Sequence, residues 1–128
     1  MKQSEDYRAA AEAFLEALGR SDWEGLATLF TEDVVWTLPG NSKISGRAEG
    51  IAAVVQRART ITSYGLTFTL KHILLGQSGM ALSLNNTARR GDLVLDEHLA
   101  TVCGFRAGKI SRIDSFLSDV PMADAFFV

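Results

Sequence analysis

Residues 21–40 read SDWEGLATLFTEDVVWTLPG and decide how the chain begins to fold. Ser21 and Glu24 match a capping box, in which each side chain accepts a hydrogen bond from the other residue's backbone amide, so a helix is predicted to start here. Apolar residues then recur at helical spacing, whereas residues 34–38 form a β-branched and aromatic run that ends at Pro39. We therefore predict a short helix followed at once by a strand.

Two further helices are predicted on either side of this stretch. An apolar face runs along residues 4–18 and stops at Gly19, and a third helix is predicted from Gly46, with Glu49 completing its cap. The apolar stripe of this third helix leaves its arginines to solvent: Arg47, Arg57 and Arg59. The first half of the chain is thus predicted to hold three helices.

The second half of the chain shows the pattern of β-strands. Four runs rich in β-branched and aromatic residues cover residues 66–75, 80–89, 93–105 and 110–118. The breaks between them are short and contain glycine, so the strands are predicted to form an antiparallel meander. Helices that precede such a meander, with one strand between them, indicate an α+β fold with the helices packed on one face of the sheet.

Composition limits the class of protein. A chain of 128 residues, 47% hydrophobic and 22% charged, is predicted to be a single domain over residues 1–128. Its net charge of −2, without an extended basic cluster, argues against nucleic acid and membranes as partners. Cys103 is the only cysteine and the N-terminus is polar, so we predict a cytoplasmic protein without disulfide, metal or cofactor.

Three segments carry a resemblance to a known family: FLEALGRSDWEGLATLFTEDVVWTLPG at 14–40, SGRAEGI at 45–51 and FRAGKISRIDSFLSD at 105–119. In this order they resemble the nuclear-transport-factor-two-like superfamily, in particular its SnoaL-like and ketosteroid-isomerase-like branch. The resemblance implies a conical fold, a cystatin-like roll, with three N-terminal helices packed on a curved, mostly antiparallel sheet. It does not choose a function, because the superfamily includes several enzymes as well as non-catalytic proteins.

The acid–base residues of ketosteroid isomerases are replaced in this chain. The resemblance places Phe14 where those enzymes have an oxyanion-binding tyrosine, and Leu38 where they have the general base. Their second oxyanion donor falls near Thr101, whose hydroxyl could still donate. A mechanism that needs a base together with donors for an enolate is therefore not expected here.

The SnoaL-like cyclases indicate a different catalytic residue. Their acid–base aspartate follows the last strand, and the resemblance places Asp119 at that position. The competing explanation is that Asp119, two residues before Pro121, only caps a short tail helix over residues 123–126. We predict Asp119 as the catalytic residue and keep capping as the alternative.

Side-chain alternation along the strands predicts which residues face the interior. The alternating sets that contain Thr101 and Ile113 are predicted to point inward. This gives an apolar pocket lined by Phe14, Trp36, Leu38, Val55, Thr101 and Cys103. Trp36 could equally be ordinary core packing, and Cys103 could be a small core residue.

Three ionisable residues have competing explanations. Glu97 shares the inward alternation, so it could act as an acid or base, or it could be a solvated carboxylate at the pocket rim. His98 is predicted to face outward as a surface or interface residue, which separates it from Cys103 and excludes a dyad between them. His72 has no second ligand at metal-binding spacing.

Two functions therefore remain open. The first is an isomerase, cyclase or hydratase acting on a small hydrophobic carbonyl or polyketide-like compound, in which Asp119 moves the proton and Thr101 orients the oxygen. The second is a non-catalytic module that binds a small hydrophobic molecule or a partner. In both cases we predict a homodimer through the outer sheet face, where Val94, Ala100 and Val102 would otherwise be exposed.

Overall fold

The computed structural model describes residues 2–128, with side chains from residue 5 onward. Over these residues the helices are α1 (Lys2–Arg20), α2 (Trp23–Ala27), α3 (Ile51–Ser63) and α4 (Val120–Phe126). The strands are β1 (Phe30–Leu38), β2 (Gly46–Glu49), β3 (Thr67–Leu75), β4 (Gly79–Arg90), β5 (Leu93–Arg106) and β6 (Lys109–Leu117). The predicted α+β class is confirmed. The described chain has four helices: the three that precede the meander, and α4 after the last strand, where a short tail helix was the alternative explanation of Asp119.

The six strands form one mixed sheet in the order β2-β1-β6-β5-β4-β3. The predicted meander is confirmed, since β3, β4, β5 and β6 pair with their sequence neighbours in antiparallel fashion. The last strand then lies parallel to β1, which in turn pairs antiparallel with β2. The sheet is therefore antiparallel except at the junction of its first and last long strands.

The predicted capping box at the start of α2 is wrong by one residue. The cap is Asp22, whose carboxylate accepts from the amide of Gly25 at 3.0 Å. Ser21 has φ 54°, and the amide of Asp22 donates to the carbonyl of Ala17 at 2.9 Å. These bonds end α1 in a left-handed turn, so Ser21 closes the first helix and leaves capping of the second to Asp22.

The predicted start of the third helix at Gly46 is also wrong. Residues Gly46–Glu49 form β2, and α3 begins at Ile51. Gly50, with φ 88°, makes the turn between strand and helix, a conformation that glycine adopts without steric cost. The edge strand was missed because its sequence contains no β-branched or aromatic residue, so the pairing with β1 decides its conformation.

Arg57 on α3 is not the solvated residue that was predicted. Its guanidinium donates to the backbone carbonyls of Trp36 at 2.9 Å, Gly46 at 3.0 Å and Ser45 at 3.2 Å. It also lies 5.6 Å from the ring centroid of Trp36, and its partial burial lowers the pKa of the guanidinium. Arg57 therefore ties α3 to both β1 and the loop that enters β2.

The helices pack on one face of the sheet and form the hydrophobic core with it. Buried core positions come from every layer, among them Phe14, Leu26, Val54, Leu82, Ile113 and Phe126. The opposite face of the sheet stays open: Phe116 on β6 is 61% exposed, and Leu74 on β3 is 54% exposed. The molecule thus has a packed inner face and an outer face on which exposed apolar side chains lie beside exposed polar ones such as Asp96 and His98.

Candidate ligand-binding cavity

A cavity of about 60 Å³ lies between the inner face of the sheet and the helices. Its walls are almost entirely apolar, and four of the residues predicted from the sequence line it: Phe14, Trp36, Leu38 and Thr101. The other two predicted residues do not line it. Val55 packs partly buried against the core, and Cys103 is fully buried beside Met80 and Ile113 on the neighbouring strands.

A chain of hydrogen bonds crosses one wall of the cavity. The indole nitrogen of Trp36 donates to the hydroxyl oxygen of Ser115 at 2.9 Å, and the hydroxyls of Ser115 and Thr101 lie 3.4 Å apart. Each of these two hydroxyl groups carries one hydrogen, and the hydrogen bond between them uses one of the two hydrogens. Among the described residues the other has no acceptor, so this wall can donate to an oxygen of a ligand.

A buried carboxyl group marks the opposite end of the cavity. Glu97 on β5 is only 3% exposed, and its Oε1 accepts from the hydroxyl of Ser118 at 2.9 Å and from the amide of Asp119 at 2.8 Å. Its Oε2 is buried without a hydrogen bond among the described residues. Glu97 is therefore not a solvated carboxylate at the pocket rim, which was one of its two explanations from the sequence.

Asn86 lies beside this carboxyl group. It is paired directly with Glu97 across β4 and β5, lines the same cavity and is 8% exposed. Its Oδ1 is the second buried side-chain oxygen without a partner in the described part of the chain. Directly opposed residues in a sheet have Cβ atoms about 5 Å apart. Two unpaired acceptors thus lie next to each other in an apolar enclosure.

Comparison with known proteins agrees with this architecture. A family model described as a SnoaL-like domain matches residues 11–113, which is most of the chain. The chain belongs to the SnoaL-like family. In three dimensions this SnoaL-like domain has the fold of a nuclear-transport-factor-two-like protein from Burkholderia xenovorans, with a TM-score of 0.84 at 17% identity and 98% of each chain covered, as the resemblance in its sequence implied.

Solved structures and curated relatives similar to this SnoaL-like domain are distant in sequence. Bal32a from a soil-derived mobile gene cassette is 26% identical, with a TM-score of 0.89 and 98% of each chain covered. A candidate ketosteroid isomerase from Kribbella flavida is 26% identical, with a TM-score of 0.74 over 91% of this chain and 80% of that one. An uncharacterised protein of Mycobacterium tuberculosis is 26% identical over 115 residues, covering 87% of this chain and 88% of the relative.

Asp119 of the SnoaL-like domain lies at the end of β6, before α4. Its carboxylate accepts from the amide of Met122 at 3.0 Å and so caps α4, and its side chain is exposed. Asp119 contacts the cavity end through its backbone, since its amide donates to Glu97. The structure therefore brings the predicted catalytic residue next to the cavity carboxyl without placing its own carboxylate among the cavity-lining groups.

The remaining ionisable residues lie away from the cavity of the SnoaL-like domain. His98 points outward, with its Nε2 3.8 Å from the carboxylate of Asp96, and both side chains are exposed. Burial, reinforced by the charge of Asp114, raises the pKa of the Cys103 thiol to about 12. Among the described residues no group of three His, Cys, Asp or Glu side chains could hold a metal ion.

None of the described helices has both the length and the apolar character that a membrane crossing requires. Asn86 was not among the residues predicted from the sequence, and Glu97 was left between an acid–base role and the pocket rim. Alternation did place Glu97 on the inward face of β5, and the same register would have brought Asn86 beside it. No sequence pattern shows that the chain after β6 returns to Glu97. There Ser118 and Asp119 cover the carboxyl group.

Proposed function

We propose that this SnoaL-like domain binds a small, largely apolar carbonyl compound in the cavity. The observation that carries the proposal is the hydrogen-bond chain from Trp36 through Ser115 to Thr101, set in an otherwise apolar wall. A carbonyl oxygen accepts a hydrogen bond but cannot donate one, which matches the unpaired hydroxyl hydrogen. The apolar body of such a ligand would replace water at the remaining walls.

The test uses 2-pentanone as the probe, followed by two-dimensional NMR. The chain has two tryptophans, so the indole signal of Trp36 reports on the cavity and that of Trp23 serves as an internal control. We expect 2-pentanone to shift the Trp36 signal, and Thr101→Val to raise the Kd about threefold to tenfold, the effect of losing one neutral hydrogen bond.

The matched control is Thr69→Val, the same substitution at an exposed position of β3, which should leave the Kd unchanged. Shifts at Trp23 without shifts at Trp36, or an unchanged Kd when Thr101→Val is combined with Ser115→Ala, would contradict binding at this wall.

The second candidate function is an isomerase, cyclase or hydratase acting on the same class of compound. What favours it is a carboxyl group inside the cavity, Glu97, held by the amide of Asp119, the residue predicted to move the proton. In such a reaction the reacting carbon of the compound would lie beside Glu97, and a carboxylate takes the proton from the carbon next to the carbonyl.

This catalytic candidate is tested by the exchange of carbon-bound hydrogen of 2-pentanone in deuterated water. The protein should accelerate the exchange, and Glu97→Gln and Asp119→Asn identify the carboxyl group that carries the proton. Loss of exchange in Asp119→Asn alone would support the role predicted from the sequence. No acceleration by the unmodified protein would leave binding as the function.

We also propose a homodimer formed through the outer face of the sheet. Support comes from the exposed side chains of Phe116, Leu74 and Val94 on that face, 61%, 54% and 47% exposed, with the partly buried Ala100 and Val102 between them. Exposed apolar side chains of this kind favour burial against a second copy. Its test is the oligomeric state of a Phe116 variant, described below.

A further inference from the structure

The cavity of the proposed ligand has a second polar end, formed by Glu97 and Asn86. We propose that this end receives a nitrogen group of the ligand that carries at least two N–H donors, as a primary amine or a primary amide does. The inference rests on the proposed binding function and adds the chemical class of the ligand's other end.

The two residues present acceptors that the protein itself leaves unused. Glu97 Oε1 is fully engaged by the hydroxyl of Ser118 and the amide of Asp119, whereas Oε2 has no partner among the described residues. Asn86 Oδ1 is likewise unpaired and buried. An unpaired acceptor in an apolar enclosure is unfavourable, so a ligand that supplies donors gains more there than it would in water.

The two unpaired oxygens, Glu97 Oε2 and Asn86 Oδ1, determine which chemical group of a ligand can bind at this end. A carbonyl or ether oxygen offers lone pairs to two acceptors and is rejected, and a single hydroxyl supplies one hydrogen for two positions. A primary amine or amide supplies two or more. Hydrogen bonds to a carboxylate are among the stronger ones, and no salt bridge to Glu97 is present among the described side chains.

The two polar ends are separate, so each can be probed by itself. Glu97 and Thr101 share the inward face of β5 and are separated on that face by Leu99, which also lines the cavity. A small probe with a nitrogen group should therefore act at the Glu97 end, and a ketone at the Thr101 end. The amide of Asp119, which donates to Glu97, reports on the first, and the indole of Trp36 reports on the second.

The experiment titrates n-butylamine and 2-pentanone into the full chain, again followed by NMR. We expect n-butylamine to shift the Asp119 amide, and Glu97→Gln to raise its Kd by about tenfold or more. The glutamine keeps an oxygen for Ser118 and Asp119 but turns the free acceptor into a donor, which faces the donors of the probe. Asn86→Leu should raise the same Kd severalfold.

Glu12→Gln, at an exposed position of α1, controls for general attraction of the amine to acidic residues and should have no effect. An n-butylamine Kd within twofold of the unmodified protein in both Glu97→Gln and Asn86→Leu would overturn the inference. If 2-pentanone binds at Trp36 while n-butylamine does not bind at all, this inference fails and the proposed function stands. If neither probe binds in the cavity, both fail.

Discussion

Glu97 accepts a hydrogen bond from the backbone amide of Asp119 at 2.8 Å. A carboxyl group on the inner face of β5 therefore binds the N-cap residue of α4. Asp119 in turn caps that helix with its own carboxylate. The two acidic residues that the sequence raised as acid–base candidates are therefore connected, one through its side chain and the other through its backbone.

The capping role of Asp119 predicts different effects for two substitutions. Asp119→Ala removes the acceptor for the Met122 amide and should lower the free energy of unfolding by about 1 kcal/mol. Asp119→Asn keeps an oxygen at the same place and should cost only a few tenths of that. Urea unfolding followed by fluorescence measures both, and equal losses in the two variants would contradict the capping role.

Arg57 is predicted to contribute more to stability than a surface arginine. Arg57→Gln removes hydrogen bonds to the carbonyls of Trp36, Ser45 and Gly46, and should lower the free energy of unfolding by about 1 to 3 kcal/mol. Arg59→Gln, at an exposed position of the same helix, is the matched control; among the described residues its guanidinium contacts only the ring of Trp23, 5.9 Å from the centroid, so the change should stay below about 1 kcal/mol. Equal effects in the two variants would show that the three carbonyl contacts add nothing.

The raised pKa of the Cys103 thiol is predicted to make the folded protein less stable at alkaline pH. In the unfolded chain the pKa of the thiol has its ordinary value of 9.0, whereas burial raises it to about 12 in the folded protein. Between these values the unfolded state loses a proton that the folded state keeps, so stability falls as the pH rises, by about 1.4 kcal/mol at pH 10. Unfolding of the unmodified protein and Cys103→Ala between pH 8 and 10 measures this difference.

The slope of the unfolding free energy against pH is what distinguishes the two proteins, because Cys103→Ala also changes packing at every pH. The alanine variant should lose less stability than the unmodified protein over this range. Parallel pH profiles would mean that the thiol ionises alike in both states.

Phe116 should control the proposed dimer. Phe116→Asp places a charge on the outer sheet face, and should convert a dimer into a monomer in sedimentation experiments without lowering the stability of the monomer. Leu93→Asp is the control, since Leu93 is 39% exposed at the start of β5 and belongs to the other alternating set of that strand. A monomer for the unmodified protein at high concentration would refute this interface.

The sequence was informative wherever a local pattern decides the structure. The strands of the meander lie within two residues of their predicted bounds, because alternation and glycine-containing breaks specify them. Alternation also assigned side chains to the correct face: Ile113 is buried and Phe116 is exposed. The same reasoning put Thr101 on the inner face, where it lines the cavity.

Sequence reasoning was least informative where distant segments decide the structure. Ser21 and Asp22 are both good capping residues, and the left-handed turn that ends α1 selects between them. The partial burial of Arg57 depends on backbone carbonyls within residues 36–46, and the helical pattern of α3 cannot show these contacts. Glu97 becomes buried only because the chain after β6 returns to it.

The parallel pairing of β1 with β6 has a consequence for the order of events during synthesis. The strand pair β1 and β2 can form early, but the next neighbour of β1 begins only at Lys109. The wall that joins Trp36 to Ser115 spans 79 residues of sequence, a contact of the kind that closes late. Until the last strand has left the ribosome, the wall that joins Trp36 to Ser115 cannot close, and the cavity that it lines cannot form.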